Sequence, residues 1–211
     1  MEYELSFLNF DYKKIKQKIK KLNGIKVHSF VAYDVAYFYL ANKNNFSSGF
    51  IRVRNENNII KLTTKILSSK YPEEYETVVN TSYDDILKLL ENSGLICKIK
   101  TIKYREKWTF PGCHEVVFDI WPGLPIILEV DCTSEELLKK SCEKLDLDIH
   151  QGFTQSKYDV VLGIPNKITN AIPNLNFSNF KKLLKNHVKK NKTLFNSLNN
   201  KYYKTYIKNF I

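Results

Sequence analysis

The stretch Gly49 to Lys65, GFIRVRNENNIIKLTTK, decides the fold of this chain. Apolar and charged residues alternate over Phe50 to Arg54, the polar run Asn55-Glu56-Asn57-Asn58 follows, and alternation resumes over Ile59 to Ile66. That pattern predicts a β-hairpin. Side chains two apart on a strand share a face, so Arg52 and Arg54 point one way, and Lys61 and Lys65 share a face on the return strand. Four cations therefore meet on one wall. A single Arg-x-Arg is ordinarily a solvated sheet face; the case for more rests on the same period recurring, in both signs, on other strands.

Working outward, Glu2-Tyr3-Glu4-Leu5-Ser6-Phe7-Leu8 alternates as a half-buried strand with Glu2, Glu4 and Ser6 on one face. Asp11 caps a predicted helix from Tyr12 to Leu22, closed by Asn23-Gly24, and Ile25 to Leu40 reads as one long or bent strand. Past the hairpin, Glu73 to Val79 is a strand with Glu74 and Glu76 on one face, and Ser82 caps a helix from Tyr83 to Asn92. Three more strands follow. Cys97 to Phe110 carries Lys103, Arg105 and Lys107 on one face; Glu115 to Trp121 carries Glu115, Val117 and Asp119; Ile126 to Cys132 carries Glu129 and Asp131. Thr133 or Ser134 caps a helix from Glu135 to Leu145. Eight strands, mostly joined as neighbours, with two or three packing helices predict an α+β fold.

A chain of 211 residues is one large domain, or one domain with an appendage. No run approaches a membrane span and the first residues are carboxylates instead of a basic, then apolar, leader, so the expectation is a soluble, cytoplasmic protein without membrane association. Cys97, Cys113, Cys132 and Cys142 lack CxxC spacing and are expected as buried free thiols. The net charge of +11 is uneven: residues 1–165 hold 23 Lys and Arg against 22 acids, while the remainder supplies ten lysines and no acid. The chain accordingly divides into a balanced domain, 1–165, and a basic, partly helical extension, 166–211. In that extension Phe177 to His187 forms an amphipathic helix with Phe180, Leu183 and Leu184 inward, read first as a closing helix over the mouth of the domain. A solvated extension, or nucleic-acid binding through the interleaved Lys and Tyr of Lys201 to Ile211, are the alternatives.

Eight strands can close into a barrel whose interior is reached by alternate residues of every strand. An unpaired buried charge costs several kcal/mol, so a dozen cannot line a dry core. Either the charged faces all meet solvent, or they line a water-filled tunnel that binds something highly charged. The ordered motifs resemble the CYTH family of triphosphate tunnel metalloenzymes, which includes thiamine triphosphatases, inorganic triphosphatases and class IV adenylate cyclases. Glu2-Tyr3-Glu4-Leu5-Ser6 is similar to the family's ExExK, with Ser6 in place of Lys; Arg52-Val53-Arg54 and Leu62-Thr63-Thr64-Lys65 are similar to its R-x-R and LTxK segments. Glu74-Tyr75-Glu76, Lys103-Tyr104-Arg105, Leu128-Glu129-Val130-Asp131 and Ser156-Lys157-Tyr158 complete the set over roughly residues 1–165.

The resemblance implies a closed, mostly antiparallel eight-stranded barrel with its charges in the lumen, and an outer face with Phe7, Val53, Leu62, Val78, Ile127 and Val130 against helices. It implies phosphate binding by Arg52, Arg54, Lys61, Lys65, Lys103, Arg105 and Lys157, and a catalytic role for Lys65, Glu4 and Glu129. Carboxylates cannot meet phosphate directly without repulsion, so their presence implies Mg²⁺ or Mn²⁺ held among Glu2, Glu4, Glu129 and Asp131, with Glu74, Glu76 and Asp119 as helpers. The implied partner is a triphosphate-containing small molecule, and the implied state a monomer or homodimer. Hydrolysis leads the expected activities; cyclisation of ATP, an RNA 5′-triphosphatase and an inactive binding module are the alternatives.

Overall fold

The computed structural model describes residues 3–40, 48–67, 73–165, 169, 172–185, 193 and 196. Eight strands form one sheet: β1 Tyr3–Phe7, β2 Lys26–Tyr39, β3 Gly49–Glu56, β4 Ile59–Ile66, β5 Glu73–Val79, β6 Cys97–Phe110, β7 Cys113–Ile120 and β8 Ile126–Cys132. Their order is β1-β8-β7-β6-β2-β3-β4-β5, antiparallel throughout, and a two-residue strand β9, Asn174–Leu175, adds parallel to β6. The sheet curls, and among the described residues no ladder joins its outer strands β1 and β5. The described residues thus form a curled half-barrel of the expected strand number and direction.

The hairpin that opened the sequence reading is tighter than its composition implied. Pairing runs on through Asn55–Ile60 and Glu56–Ile59, leaving Asn57 and Asn58 as a two-residue turn with φ of 53° and 68°. Asn tolerates that left-handed backbone, which matches the twist of a two-residue hairpin. At the hairpin's other end Gly49 has φ +130°, and a Cβ there would lie 2.1 Å from the Lys65 carbonyl oxygen, so only glycine lets β3 start against β4.

Helices cover the outer face. α1, Tyr12–Lys21, α2, Tyr83–Asn92, and α3, Glu135–Lys144, are capped by Asp11, Ser82 and Ser134, whose side chains accept from the backbone N–H groups of Lys14, Asp85 and Leu137. Phe7, Ile15, Ile19, Trp108, Phe118, Leu128, Val130, Leu138 and Cys142 form one apolar core between α1, α3 and the sheet. Ala36, Phe38, Val53, Ile60, Ile86 and Leu87 form a second beneath α2. A third cluster gathers two short helices, α4 Lys157–Leu162 and α5 Phe180–Leu184, with Leu124, Ile127 and Leu175.

Four expectations change here. Ile127 shares its face with Glu129 and packs in the α4–α5 cluster, and Val78 shares its face with Glu76 and is 64% exposed; neither meets the outer helices. Period two in the strand sets both, since each lies two residues from a lumen carboxylate. In α5 Phe180 and Leu184 are buried whereas Leu183 is exposed, because a five-residue helix turns only one narrow stripe inward. Cys113 and Cys132 face each other across β7 and β8 and form a disulfide, leaving Cys97 and Cys142 free; strand register, invisible in the spacing, brings the pair together. The tail readings on Lys201 to Ile211 lie outside the described residues.

Candidate functional site

The concave face of the sheet bounds a cavity of about 640 Å³. Register explains who lines it. Arg52 stands opposite Thr63 and Arg54 opposite Lys61, while Thr63 and Lys65 face Glu76 and Glu74 on β5. Across the curl, β6 presents Lys103, Arg105 and Lys107, and the row Glu4, Asp131, Glu115 runs straight across β1, β8 and β7. Among the described residues eight cations reach the cavity: Arg52, Arg54, Lys61, Lys65, Lys103, Arg105, Lys107 and Lys157.

On the β3–β5 wall each cation is held by carboxylates. Arg52 Nη2 lies 2.9 Å from Glu74 Oε1, and Lys65 Nζ 3.3 Å from Glu74 Oε2. Arg54 pairs with Glu76 and, at 3.0 Å, with Glu56; Lys61 lies 3.0 Å from Glu76 and 3.2 Å from Glu56. Thr63 Oγ1 donates to Glu76 at 3.0 Å. Burial alone would raise the Glu76 carboxyl, but Arg54, Lys61 and Thr63 hold it down at about 2.

The opposite wall is deeper. Arg105 donates from Nε and Nη2 to the two oxygens of Asp119 at 2.6 and 2.7 Å, from Nη1 to Glu115 at 2.7 Å and from Nη2 to Glu129 at 2.9 Å. Lys103 donates to Asp119 at 2.6 Å, Lys107 pairs with Glu115, and Lys157 reaches Glu129 Oε1 at 2.6 Å from the start of α4. Burial, aided by Arg105, pushes the Lys103 ammonium down to about 8 against the pull of Asp119 and Glu129. Burial acts the same way on Lys157, yet Glu129 and Glu4 carry it upward. For Glu115 burial is outweighed by Arg105 and Lys107, which bring it to about 2.

The sequence-predicted residues thus divide. Arg52, Arg54, Lys61, Lys65, Lys103, Arg105, Lys157, Glu4, Glu74, Glu76, Glu129 and Asp131 line one cavity, and Glu2 lies outside the described residues. Asp119 does not line it; at 0% exposure it sits beneath Lys103 and Arg105 and fixes their heads. Glu56 was missed because its polar neighbours read as a turn. The Ser6 hydroxyl lies 3.5 Å from the same Glu129 oxygen that Lys157 reaches, so a cation from α4 stands where the strand itself offers none.

Among the described residues no three His, Cys, Asp or Glu side chains form a ready cage for a metal. The donors that fit a hard divalent cation are Glu4 and Asp131, directly opposed in the β1–β8 register on the cavity face. Like charges so placed repel unless a cation lies between them. Mg²⁺ characteristically takes one or two carboxylates and completes its shell with phosphate oxygens and water.

The carboxylate pairing makes acid sensitivity an expected result. Glu76 and Glu115 sit near 2 against an ordinary 4.5, so their stabilising pairs are fully formed above about 4.5 and are lost as pH falls toward 2. Thermal melts should show Tm dropping across that interval, with the drop reduced in Glu76→Gln. An unchanged acid limb in that variant would contradict the assignment.

A half-barrel of antiparallel strands around a cavity walled by paired cations and carboxylates defines a class of protein built to enclose a highly charged ligand. The chain belongs to the CYTH domain family, whose model matches residues 1–159, and that family includes triphosphatases and adenylate cyclases. No curated protein matches it significantly. Solved structures share the fold. The PH1012 protein of Pyrococcus horikoshii OT3 is 19% identical with a TM-score of 0.59, over 75% of this chain and 98% of that one. A Vibrio parahaemolyticus protein provisionally assigned as an adenylate cyclase is 13% identical with a TM-score of 0.63, over 75% and 96%. Among the described residues no helix is long and apolar enough to cross a membrane.

Proposed function

We propose that this chain is a metal-dependent triphosphatase that hydrolyses a triphosphate held in the charged cavity, with residues 1–165 as the working domain and 166–211 as an appended extension. The observation that carries the reading is the convergence of eight cations from both walls on one cavity whose far end is acidic. A triphosphate brings about four negative charges, and its reaction depends mainly on positioning and charge neutralisation.

Arg52 and Arg54 offer planar forks to phosphate oxygens and Lys61, Lys65, Lys103 and Lys157 act as point charges. Each exchanges a carboxylate partner for phosphate. Asp119 keeps Lys103 and Arg105 pointed at the cavity throughout. Glu4 and Asp131 would hold Mg²⁺ or Mn²⁺, with Glu129 beside them, and the ion supplies charge neutralisation and a more acidic water. Glu4 and Glu129 would orient the attacking water and take up its proton, and Lys65 would supply charge to the leaving phosphate. We take the seam between β1 and β5 to narrow when the cavity is filled.

The test is incubation with tripolyphosphate, thiamine triphosphate and ATP in Mg²⁺ or Mn²⁺, assaying phosphate and cyclic AMP together. Phosphate release is the expected outcome. Cyclic AMP as main product would replace hydrolysis by cyclisation, and tight binding without either product would leave a binding module.

A further inference from the structure

Away from the cavity, seven lysines and no acid stand between Tyr12 and His28. Folding neutralises only some of them: Lys14 and Lys18 pair with Asp146, and Lys16 with Glu106. Lys20 and Lys21, at the end of α1, and Lys26, at the start of β2, are exposed and have no carboxylate partner among the described residues. The fold gathers them. The ammonium groups of Lys20 and Lys26 lie 5.9 and 5.8 Å from the ring centre of Trp108, which is itself 1% exposed. Beside these cations Ile25 and Val27 stand out at 69% and 52% exposure. Ile25 is held that way: its N–H donates to Thr109 Oγ1 at 3.2 Å and its carbonyl accepts from the Thr109 N–H at 2.8 Å, so the backbone is pinned to β6 while the side chain faces water.

Local structure does not account for this patch. The helix dipole favours cations in the last turn of α1, which explains Lys20 and Lys21 but neither Lys26 nor two aliphatic side chains in solvent. The chemistry selects the occupant. Trp108, the ring beneath the cations, is buried and offers no face on which a base could stack, as single-stranded nucleic acid requires. Five side chains fall short of the roughly 20–30 residues a side that a stable protein interface uses. An anionic bilayer needs neither, because each lysine near its surface and each aliphatic group in its interface contributes separately. The sequence expectation of no membrane association concerned spanning segments and leaders, which a surface contact does not use.

We propose that the end of α1 and the start of β2 form a peripheral membrane-binding face, in which Lys20, Lys21 and Lys26 meet the phosphates of an anionic bilayer while Ile25 and Val27 enter its interface. The face is independent of the triphosphate reading.

The experiment is co-sedimentation of the full chain with vesicles of phosphatidylcholine alone and of phosphatidylcholine mixed with phosphatidylserine. Wild type should pellet with the mixed vesicles and stay in solution with phosphatidylcholine alone. Lys20→Gln, Lys21→Gln and Lys26→Gln together should lower the partition coefficient roughly a hundredfold, about fivefold for each lysine. Ile25→Ser with Val27→Ser should lower it about tenfold at unchanged charge. Since Lys20 and Lys26 cover Trp108, Lys21→Gln alone, with its loss of about fivefold, serves if the triple variant fails to fold. A wild type that ignores the mixed vesicles overturns the proposal. Binding that the variants leave unchanged overturns it too, and assigns the contact to the ten lysines of residues 166–211. A lysine variant that loses binding while the serine variant keeps it overturns the bilayer in favour of simple anion contact, and an oligonucleotide that wild type binds and the lysine variant loses would then name the partner as nucleic acid.

Discussion

Asp119→Ala is expected to cost about 3–5 kcal/mol of folding stability, the range for removing one partner of a buried ion pair. Asp119 is fully buried and is the acceptor for Lys103 and for two nitrogens of Arg105. Arg105 keeps Glu115 and Glu129, so most of the loss falls on Lys103, left charged at 5% exposure. That ammonium is already depressed to about 8, chiefly by burial, and without Asp119 it is depressed further. A lysine with a lowered folded pKa destabilises while protonated, so the gap between variant and wild type should narrow as pH rises toward and past 8. Urea titrations at pH 6 and pH 9 check both parts. A loss under about 1 kcal/mol, the value of an exposed pair, would mean that the Asp119 contact is not the buried anchor described here.

The second large effect is a split between binding and turnover. Glu4→Gln is expected to lower kcat by more than about a hundredfold, beyond what disturbing only the outer shell of a metal costs. Metal-free tripolyphosphate binding should be unchanged or tighter, because a negative charge has left the cavity. Arg54→Ala should do the reverse at the binding step, weakening tripolyphosphate about tenfold or more through loss of a charge-assisted partner worth roughly 1.5–3 kcal/mol. Removing Arg54 also strips Glu76 and Glu56 of a cation, and their repulsion of phosphate adds to the loss. Equal effects of the two substitutions on Kd would sink the division of labour between the walls.

Much of this site was legible before any fold was known, for a simple geometric reason. Alternation along a strand assigns a side chain to a face whatever the strand pairs with, so Arg52 with Arg54, Lys103 with Arg105, and Glu129 with Asp131 could be grouped from the chain alone. Helix ends were equally local: Asp11, Ser82 and Ser134 each satisfy an N–H three residues on, a contact that needs nothing from elsewhere in the molecule.

What only the tertiary structure decided is which carboxylate meets which cation, and how deep. Glu56 entered the site because the turn proved two residues long; Asp119, on a face shared with lumen residues, sank beneath Arg105 because the sheet curls there. Cys113 met Cys132 through the β7–β8 register, and Lys157 reached Glu129 from a helix whose place no periodicity announces. The sequence alone thus determined the faces, the caps and the sign of charge on each strand, since these depend on neighbours along the chain. Pair identity and burial depend on distances between residues as far apart as Ser6 and Glu129, and those exist only once the sheet has curled.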